Sequence, residues 1–269
     1  MTVQHRKELV QCARDFDALI ISDDVYDQLQ WPAVPHDPST SALKTASFPR
    51  LVDIDRVLDG GAERNGSDGF GNTMSNGSFS KICGPGVRVG WAEGTSKFAY
   101  GVSQTGSSCS GGAPSQLTST YIAHLLQHGT LQKHIFETLQ PAYSKRYSTL
   151  VKAVKTELCP LGVTLPQFDR EVIGGYFIWL TLPNTVNADV YAQRCQEEAN
   201  VNIAPGSIFE VPGDESVRFE HCIRLTFSWV ELEEMVEGVR RMRGILESSL
   251  RGEGPKSGVI KGRELGSVK

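Results

Sequence analysis

The feature that most constrains the fold is an amphipathic segment followed at once by a short apolar run. Apolar residues recur at helical spacing between residues 3 and 16, and residues 18–21 then read Ala-Leu-Ile-Ile. A helix that leads into a continuous apolar strand is typical of a parallel sheet covered on both faces, where ligands gather at the carboxyl ends of the strands. Asp23, Asp24 and Tyr26 follow the run. The pattern predicts an α/β fold with these polar side chains at a strand end.

Further helical and strand-like patterns alternate along the rest of the chain. Residues 32–76 are rich in Pro, Gly and Asn, which predicts mainly loop with a possible short strand at 50–54. Periodicity predicts strands at 87–91, 173–180, 201–203 and 222–227, and helices at 115–128, 188–199 and 232–246. A long helical pattern over 131–158 should bend or divide at Pro141, because proline lacks the amide hydrogen of a helix interior.

This long pattern is expected to connect two domains. We predict a first domain with a mainly parallel sheet over residues 1–135 and a small α+β domain over residues 136–250. Residues 251–269 are rich in Gly and Lys and have little to bury, so they are predicted to be a disordered tail.

Composition excludes several classes of function. A net charge of −4 with an isoelectric point near 5.9 offers no basic surface for nucleic acid. No apolar run approaches the ~20 residues that cross a bilayer, and the first residues are polar where a signal peptide is apolar. The six cysteines form no CxxC pair, and the six histidines show no metal-ligand spacing. We therefore expect a cytoplasmic protein with reduced thiols and with no metal, membrane or nucleic-acid partner.

Residues 75–88, SNGSFSKICGPGVR, concentrate hydroxyls, one lysine, one arginine and several glycines. Glycine lets a ligand approach the backbone closely, so the composition suits a phosphate group. The segment matches neither the P-loop nor the GxGxxG dinucleotide fingerprint. Local composition alone leaves a polar turn with a solvated lysine as the simpler interpretation.

Residues 78–88 resemble the cofactor-lysine motif S-x-S-K-x-x-x-P-G-x-R of the class I/II aminotransferases, which are fold-type I enzymes that use pyridoxal phosphate (PLP). The resemblance implies that Lys81 holds the cofactor covalently and is the catalytic residue. It also implies that Ser78, Ser80 and Arg88 bind the cofactor phosphate. The planar fork of an arginine suits this role, since it can bond two phosphate oxygens at once.

Residues 21–26, ISDDVY, resemble the D-x-x-Y element of the same family, and the match selects Asp23 over Asp24. The resemblance implies that Asp23 bonds the pyridine nitrogen and Tyr26 the ring phenolate oxygen. A carboxylate beside a pyridinium raises the pKa of the ring nitrogen by roughly 1–3 units, which preserves the ring as an electron sink. Considered without the family, either aspartate could equally be a turn acid or a helix N-cap.

Residues 223–228, IRLTFS, resemble the short family strand whose arginine binds the substrate α-carboxylate, a role that falls on Arg224. Spacing alone leaves an outward-facing surface arginine equally open. Residues 174–177, GGYF, and 204–209, APGSIF, resemble family segments that line the small-domain side of the site. We expect these segments to shape the site rather than to react.

The resemblance extends from about Leu9 to Met242 and implies a PLP-dependent transferase fold, with an incomplete large domain and a small α+β C-terminal domain. The implied reaction moves an amino group between an amino acid and a 2-oxo acid, of the aromatic or 2-aminoadipate type, in a homodimeric full-length parent. Family elements such as the stacking aromatic are not found before Met1, so we expect a C-terminal portion. The alternatives are a non-catalytic or truncated remnant, a MocR-like effector-binding domain and a related PLP lyase.

Overall fold

The computed structural model describes residues 1–32, 49–110, 115–166 and 172–254. The chain divides into two compact units, of which unit 1 comprises Met1–Pro141 and Arg170–Gly175, and unit 2 comprises Ala142–Asp169 and Tyr176–Lys269. The predicted disordered tail lies largely outside the described residues, which end at Gly254. Among the described helices, none is both long and apolar enough to cross a membrane.

Unit 1 combines helices with short strands. The helices are α1 (Val3–Asp15), α2 (Leu51–Val57), α3 (Ser96–Ser103), α4 (Gly106–Cys109), α5 (Gln116–Gln127) and α6 (Thr130–His134). The strands are β1 (Ile20–Asp23), β2 (Gln30–Pro32), β3 (Thr73–Ser78), β4 (Gly90–Glu93) and β5 (Val172–Gly174). In the described part of the chain β1, β3 and β4 form one sheet in that order, with β1 parallel to β3 and β3 antiparallel to β4. Strands β2 and β5 pair antiparallel.

The beginning of unit 1 follows the predicted helix-then-strand pattern. Thr2 caps α1 by accepting a hydrogen bond from the backbone of His5, and α1 buries Val10 and Ala13. The chain then enters β1, whose Asp23 lies opposite Asn76 of β3 in parallel register. Because the two strands run the same way, their carboxyl ends lie side by side.

Helix α2 and strand β3 correct two predictions in the segment expected to be mainly loop. The possible strand at 50–54 is wrong, because residues 51–57 are helical. Asp53 Oδ2 accepts a hydrogen bond of 2.9 Å from the Arg50 amide, which satisfies a free donor at the start of the helix. Strand β3 lies in the polar stretch before residue 79, and its ladder bonds to β1 and β4 hold it in place.

Unit 2 packs helices on an antiparallel sheet. Its elements are α7 (Gln140–Glu157, which begins two residues before the unit boundary), β6 (Phe177–Thr181), α8 (Ala188–Ala199), β7 (Ala204–Pro205), β8 (Cys222–Thr226) and α9 (Leu232–Leu250). The sheet order in the described residues is β6-β8-β7. Ile178, Leu180, Ile223 and Leu225 are buried, whereas the alternating residues Trp179 and Arg224 remain half-buried. The sheet therefore has one core face and one face that can meet a ligand.

Three predicted strands have different bounds in the structure. The pattern at 173–180 is two strands in different sheets, β5 and β6, separated at Gly175, whose φ of 81° favours glycine. The strand predicted at 201–203 lies instead at Ala204–Pro205. The strand predicted at 87–91 begins only at Gly90, since Arg88 adopts a left-handed φ of 50°.

The remaining helices and the last strand agree with the predicted patterns. Helices α5, α8 and α9 occupy the predicted segments, and β8 occupies residues 222–226. The long pattern around Pro141 is a continuous helical run in which α6, a π-helical turn at Ile135–Leu139 and α7 follow one another without a gap. The π turn ends just before Pro141, and such a turn changes the α-helical bonding where proline has no amide hydrogen to donate.

Candidate active site

Asp23 lies at the end of β1 and is oriented by a neighbour from β3. The Asn76 side-chain amide donates a hydrogen bond of 3.0 Å to Oδ1 of Asp23, and both residues are exposed. The parallel register that places them opposite each other explains the contact. No role was predicted for Asn76, although it stands two residues before the serine-lysine motif.

The turns after β1 and β3 bring Tyr26 and Lys81 together. The ammonium nitrogen of Lys81 lies 5.5 Å from the centroid of the Tyr26 ring, within the range of a cation–π contact. The turn that carries Tyr26 is closed by a hydrogen bond of 2.8 Å from the Leu29 amide to the Tyr26 carbonyl. The turn that carries Lys81 is closed by one of 2.8 Å from the Cys83 amide to the Phe79 carbonyl. Two residues that are 55 positions apart in the sequence therefore lie at one site.

A glycine and a tryptophan hold the turn that carries the lysine. A Cβ atom built on Gly77 would lie 2.0 Å from the Trp91 ring, so this close approach requires glycine. The Trp91 ring also packs on Phe79, with centroids 4.9 Å apart. The Ser78 hydroxyl accepts a hydrogen bond of 3.0 Å from the Ser80 amide. These contacts constrain the backbone of the serine-lysine motif on both sides.

Of the predicted phosphate ligands, Ser78 is the last residue of β3, and Ser80 and Arg88 lie in the loop between β3 and β4. The loop is closed where Ser78 pairs with Gly90. Arg88 is exposed, and its Nη1 donates a hydrogen bond of 3.1 Å to the Pro85 carbonyl. One hairpin thus carries two hydroxyls and a guanidinium, each of which can donate a hydrogen bond to an anion.

The two consecutive aspartates, Asp23 and Asp24, differ in their position relative to a cavity of about 470 Å³. Asp24 lines this cavity, and its Oδ1 accepts a hydrogen bond of 2.7 Å from the Ser22 hydroxyl. Asp27 lines the same cavity, and burial together with the negative charge of Asp24 raises its pKa to about 6. Asp23, in contrast, is exposed beside Asn76. The two consecutive aspartates therefore have different surroundings, and the selection of Asp23 over Asp24 stays a prediction.

Arg50 pairs with three of the acidic side chains that line this cavity. Its guanidinium bonds Asp53 at 2.9 Å and Glu93 at 2.7 Å, and its Nε lies 3.7 Å from Asp27. Hydrogen bonds from Arg50 lower the pKa of Glu93 below its ordinary value. The network connects α2, β4 and the turn after β1, and its residues line the cavity.

Arg224 belongs to unit 2, whereas the other predicted site residues belong to unit 1. It stands on β8 opposite Trp179 and lines a cavity of about 400 Å³. Its guanidinium carbon lies 4.0 Å from the centroid of the Phe177 ring and 4.4 Å from that of Phe209. The sequence predicted only that the segments containing these two phenylalanines shape the site, and nothing in their spacing revealed the contacts.

Comparison with known proteins gives consistent matches over most of the chain. The family model described as aminotransferase class I and II matches residues 1–242. The chain is 36% identical over 248 residues to an uncharacterized protein of Saccharomyces cerevisiae, covering 92% of this chain and 52% of that protein. It is 25% identical over 256 residues to aromatic-amino-acid aminotransferase 1 of Thermococcus litoralis, covering 93% of this chain and 51% of that protein.

A solved structure supports the same fold. The α-aminoadipate aminotransferase LysN of Thermus thermophilus, complexed with N-(5'-phosphopyridoxyl)-L-leucine, is similar with a TM-score of 0.69 and 24% sequence identity. The match covers 93% of this chain and 55% of that chain. The predicted transferase fold is confirmed, and the chain spans about half the length of the curated relatives it matches.

Proposed function

The chain belongs to the family of class I and II aminotransferases, and from this premise we propose that Lys81 holds PLP for transamination between an amino acid and a 2-oxo acid. The observation that carries the proposal is the contact of Lys81 with Tyr26, in the turns that follow two parallel strands. Asp23 is the last residue of the first of these strands. Strand ends are where α/β sheets bind ligands.

The donor groups of unit 1 fit the chemistry of PLP. The Lys81 amine can bond an aldehyde, and the Tyr26 hydroxyl can donate to an anionic ring oxygen. The Asp23 carboxylate, oriented by Asn76, can pair with a protonated ring nitrogen. The hairpin with Ser78, Ser80 and Arg88 supplies donors for a phosphate. Each group in this set therefore matches one part of the cofactor.

The proposed mechanism assigns each side chain a separate task. Bound PLP supplies the electron sink that makes the α-hydrogen of an amino acid acidic. Asp23 would hold a proton on the ring nitrogen of the bound cofactor by its negative charge. Lys81 moves the proton at the substrate α-carbon as a general base and acid. Arg224 would bind the substrate carboxylate with its guanidinium donors.

Two further proposals concern the type of amino donor and the assembly and location of the protein. We propose an amino donor of the aromatic or 2-aminoadipate type, supported by the names of the Thermococcus and Thermus relatives. We also propose a homodimer in the cytoplasm, as the family resemblance implies. The first proposal is tested by comparing phenylalanine, tyrosine and 2-aminoadipate as amino donors, and the second by measuring the molecular mass in solution.

The position of the cofactor is tested by chemical trapping. The purified chain is incubated with PLP, reduced with borohydride and digested, and the phosphopyridoxyl peptide is identified by mass spectrometry. We expect the label on Lys81, and we expect Lys81→Ala to abolish it. Label on a different lysine, with Lys81 unmodified, would contradict the assignment.

Lys97 is the matched control for this experiment. It also lies in unit 1, but its ammonium group makes an exposed ion pair of 2.7 Å with Asp68. Lys97→Ala should therefore leave the labelling of Lys81 unchanged. An equal loss of label in both variants would show that the reagent reacts without a defined site.

A further inference from the structure

We propose that Phe177 and Phe209 are positioning residues, which hold the Arg224 guanidinium so that its edge faces a substrate carboxylate. The proposal rests on the carboxylate-binding role proposed for Arg224. It adds the two rings that give the arginine a defined orientation. The contacts come from β6 and from the turn after β7, so they join separate parts of unit 2 around one side chain.

The geometry of the contacts determines which part of the guanidinium stays available. Its carbon atom lies over the Phe177 ring at 4.0 Å and over the Phe209 ring at 4.4 Å. Rings that stack on a guanidinium contact its faces, whereas its five N–H donors lie in its plane. The two phenylalanines therefore bind Arg224 without using the donors that would bond a carboxylate.

The guanidinium donors are not used elsewhere in the described part of the chain. Among the described residues, the Arg224 side chain makes no hydrogen bond or ion pair, and its guanidinium contacts the Phe177 and Phe209 rings. The cavity of about 400 Å³ beside it is lined mainly by apolar side chains, including Ile203, Pro205 and Ile208. A monocarboxylate with an apolar body matches this combination of one cation and apolar walls.

The position of Phe209 depends on the close approach of the Gly206 backbone to the backbone of Phe219. A Cβ atom on Gly206 would lie 2.4 Å from the Phe219 carbonyl oxygen, so the turn at Gly206–Phe209 can pack there only with glycine. The Trp179 ring contacts Phe209 at 5.4 Å and Phe219 at 5.3 Å between centroids. Phe209 is therefore held on one side by Trp179 while it supports Arg224.

The experiment measures carboxylate binding to the complete 269-residue chain. The probe is 3-phenylpropionate, titrated while the arginine Nε–Hε signals are followed by NMR, so no cofactor turnover is needed. Phe177→Leu and Phe209→Leu keep apolar volume but remove the ring face. Each should weaken binding roughly three- to tenfold and make the Arg224 side chain more mobile. Phe209→Tyr keeps the ring and should remain within about twofold of the unmodified chain.

Phe219→Leu is the matched control, because Phe219 contacts Trp179 and makes no ring contact with Arg224 in the described residues. It should leave binding and the Arg224 signal unchanged. Equal weakening by Phe219→Leu and Phe209→Leu would overturn the proposal, since the whole aromatic cluster would then be responsible. Unchanged probe binding and unchanged Arg224 mobility in both Phe177→Leu and Phe209→Leu would also overturn the proposal.

Arg224→Gln separates this proposal from the function on which it rests. If Arg224→Gln abolishes binding while the phenylalanine variants bind normally, only the positioning role fails. If Arg224→Gln binds the probe as well as the unmodified chain does, the carboxylate-binding role of Arg224 fails first. The expected result is loss of binding with Arg224→Gln and intermediate binding with the two leucine variants.

Discussion

Asp55→Ala should destabilise unit 1 more than any exposed charge change on the same helices. Asp55 is 4% exposed and pairs with Arg14, also buried, at 2.8 Å. Its other oxygen accepts hydrogen bonds of 2.7 Å from the Asn72 amide and 3.1 Å from the Thr73 amide. This one carboxylate therefore joins α1, α2 and the start of β3.

The expected magnitude follows from what the substitution leaves behind. Breaking a buried pair by removing one partner costs about 3–5 kcal/mol, because the remaining charge stays buried without compensation. The two backbone amides would each lose an acceptor, at about 1–3 kcal/mol if they stay dry. The two effects overlap, since Arg14 keeps its bonds to the carbonyls of Asp55 and Leu58. We expect a total loss near 4 kcal/mol, taken from the range for a broken buried pair.

Urea denaturation combined with amide hydrogen exchange measures this loss within unit 1. With a slope of about 2 kcal/mol per molar urea, the midpoint should fall by about 2 M. Peptides that cover β1 and β3 should lose exchange protection first. Asp15→Asn, an exposed change beside Arg14, is the control and should stay within about 0.5 kcal/mol. A midpoint for Asp55→Ala that matches this control would refute the reasoning.

Two further predictions concern the surroundings of the candidate site. The folded-state pKa of Asp27 is raised to about 6 from 3.8, so its contribution to stability is complete below pH 3.8 and is lost as the pH rises through 6. The free energy of unfolding of Asp27→Asn should therefore rise relative to the parent by about 1 kcal/mol between pH 4 and 7, allowing for the partial exposure of Asp27. Urea titrations at several pH values measure this difference, and a difference that stays constant with pH would contradict the prediction. Gly77→Ala should lower the free energy of unfolding by about 1–3 kcal/mol and change Trp91 fluorescence, because the added Cβ would overlap that ring. Gly86→Ala is the control, since no atom lies within 4 Å of its added Cβ, and it should change neither.

The elements that the sequence predicted well are those whose signal is local. Helix α8 lies over the predicted residues 188–199, and α9 contains the predicted amphipathic segment 232–246. Helix periodicity is expressed within a few turns, so it does not require knowledge of distant partners. The family motif was equally local, because cofactor chemistry places its serines, lysine and arginine within residues 78–88. The family and fold predicted from these motifs are confirmed, whereas the roles of the individual site residues stay predictions.

Only the tertiary structure decided the features that depend on distant partners. Strand β3 is too polar to be recognised from its own residues, and it is a strand because β1 and β4 bond it from both sides. Such pairing is set by neighbours rather than by intrinsic preference. The contact of Asn76 with Asp23, and those of Phe177 and Phe209 with Arg224, likewise join residues that are far apart in the sequence. The sequence thus determined which chemical groups the chain carries, and long-range packing decided how they are oriented, because side-chain direction depends on the strands and turns that meet in space.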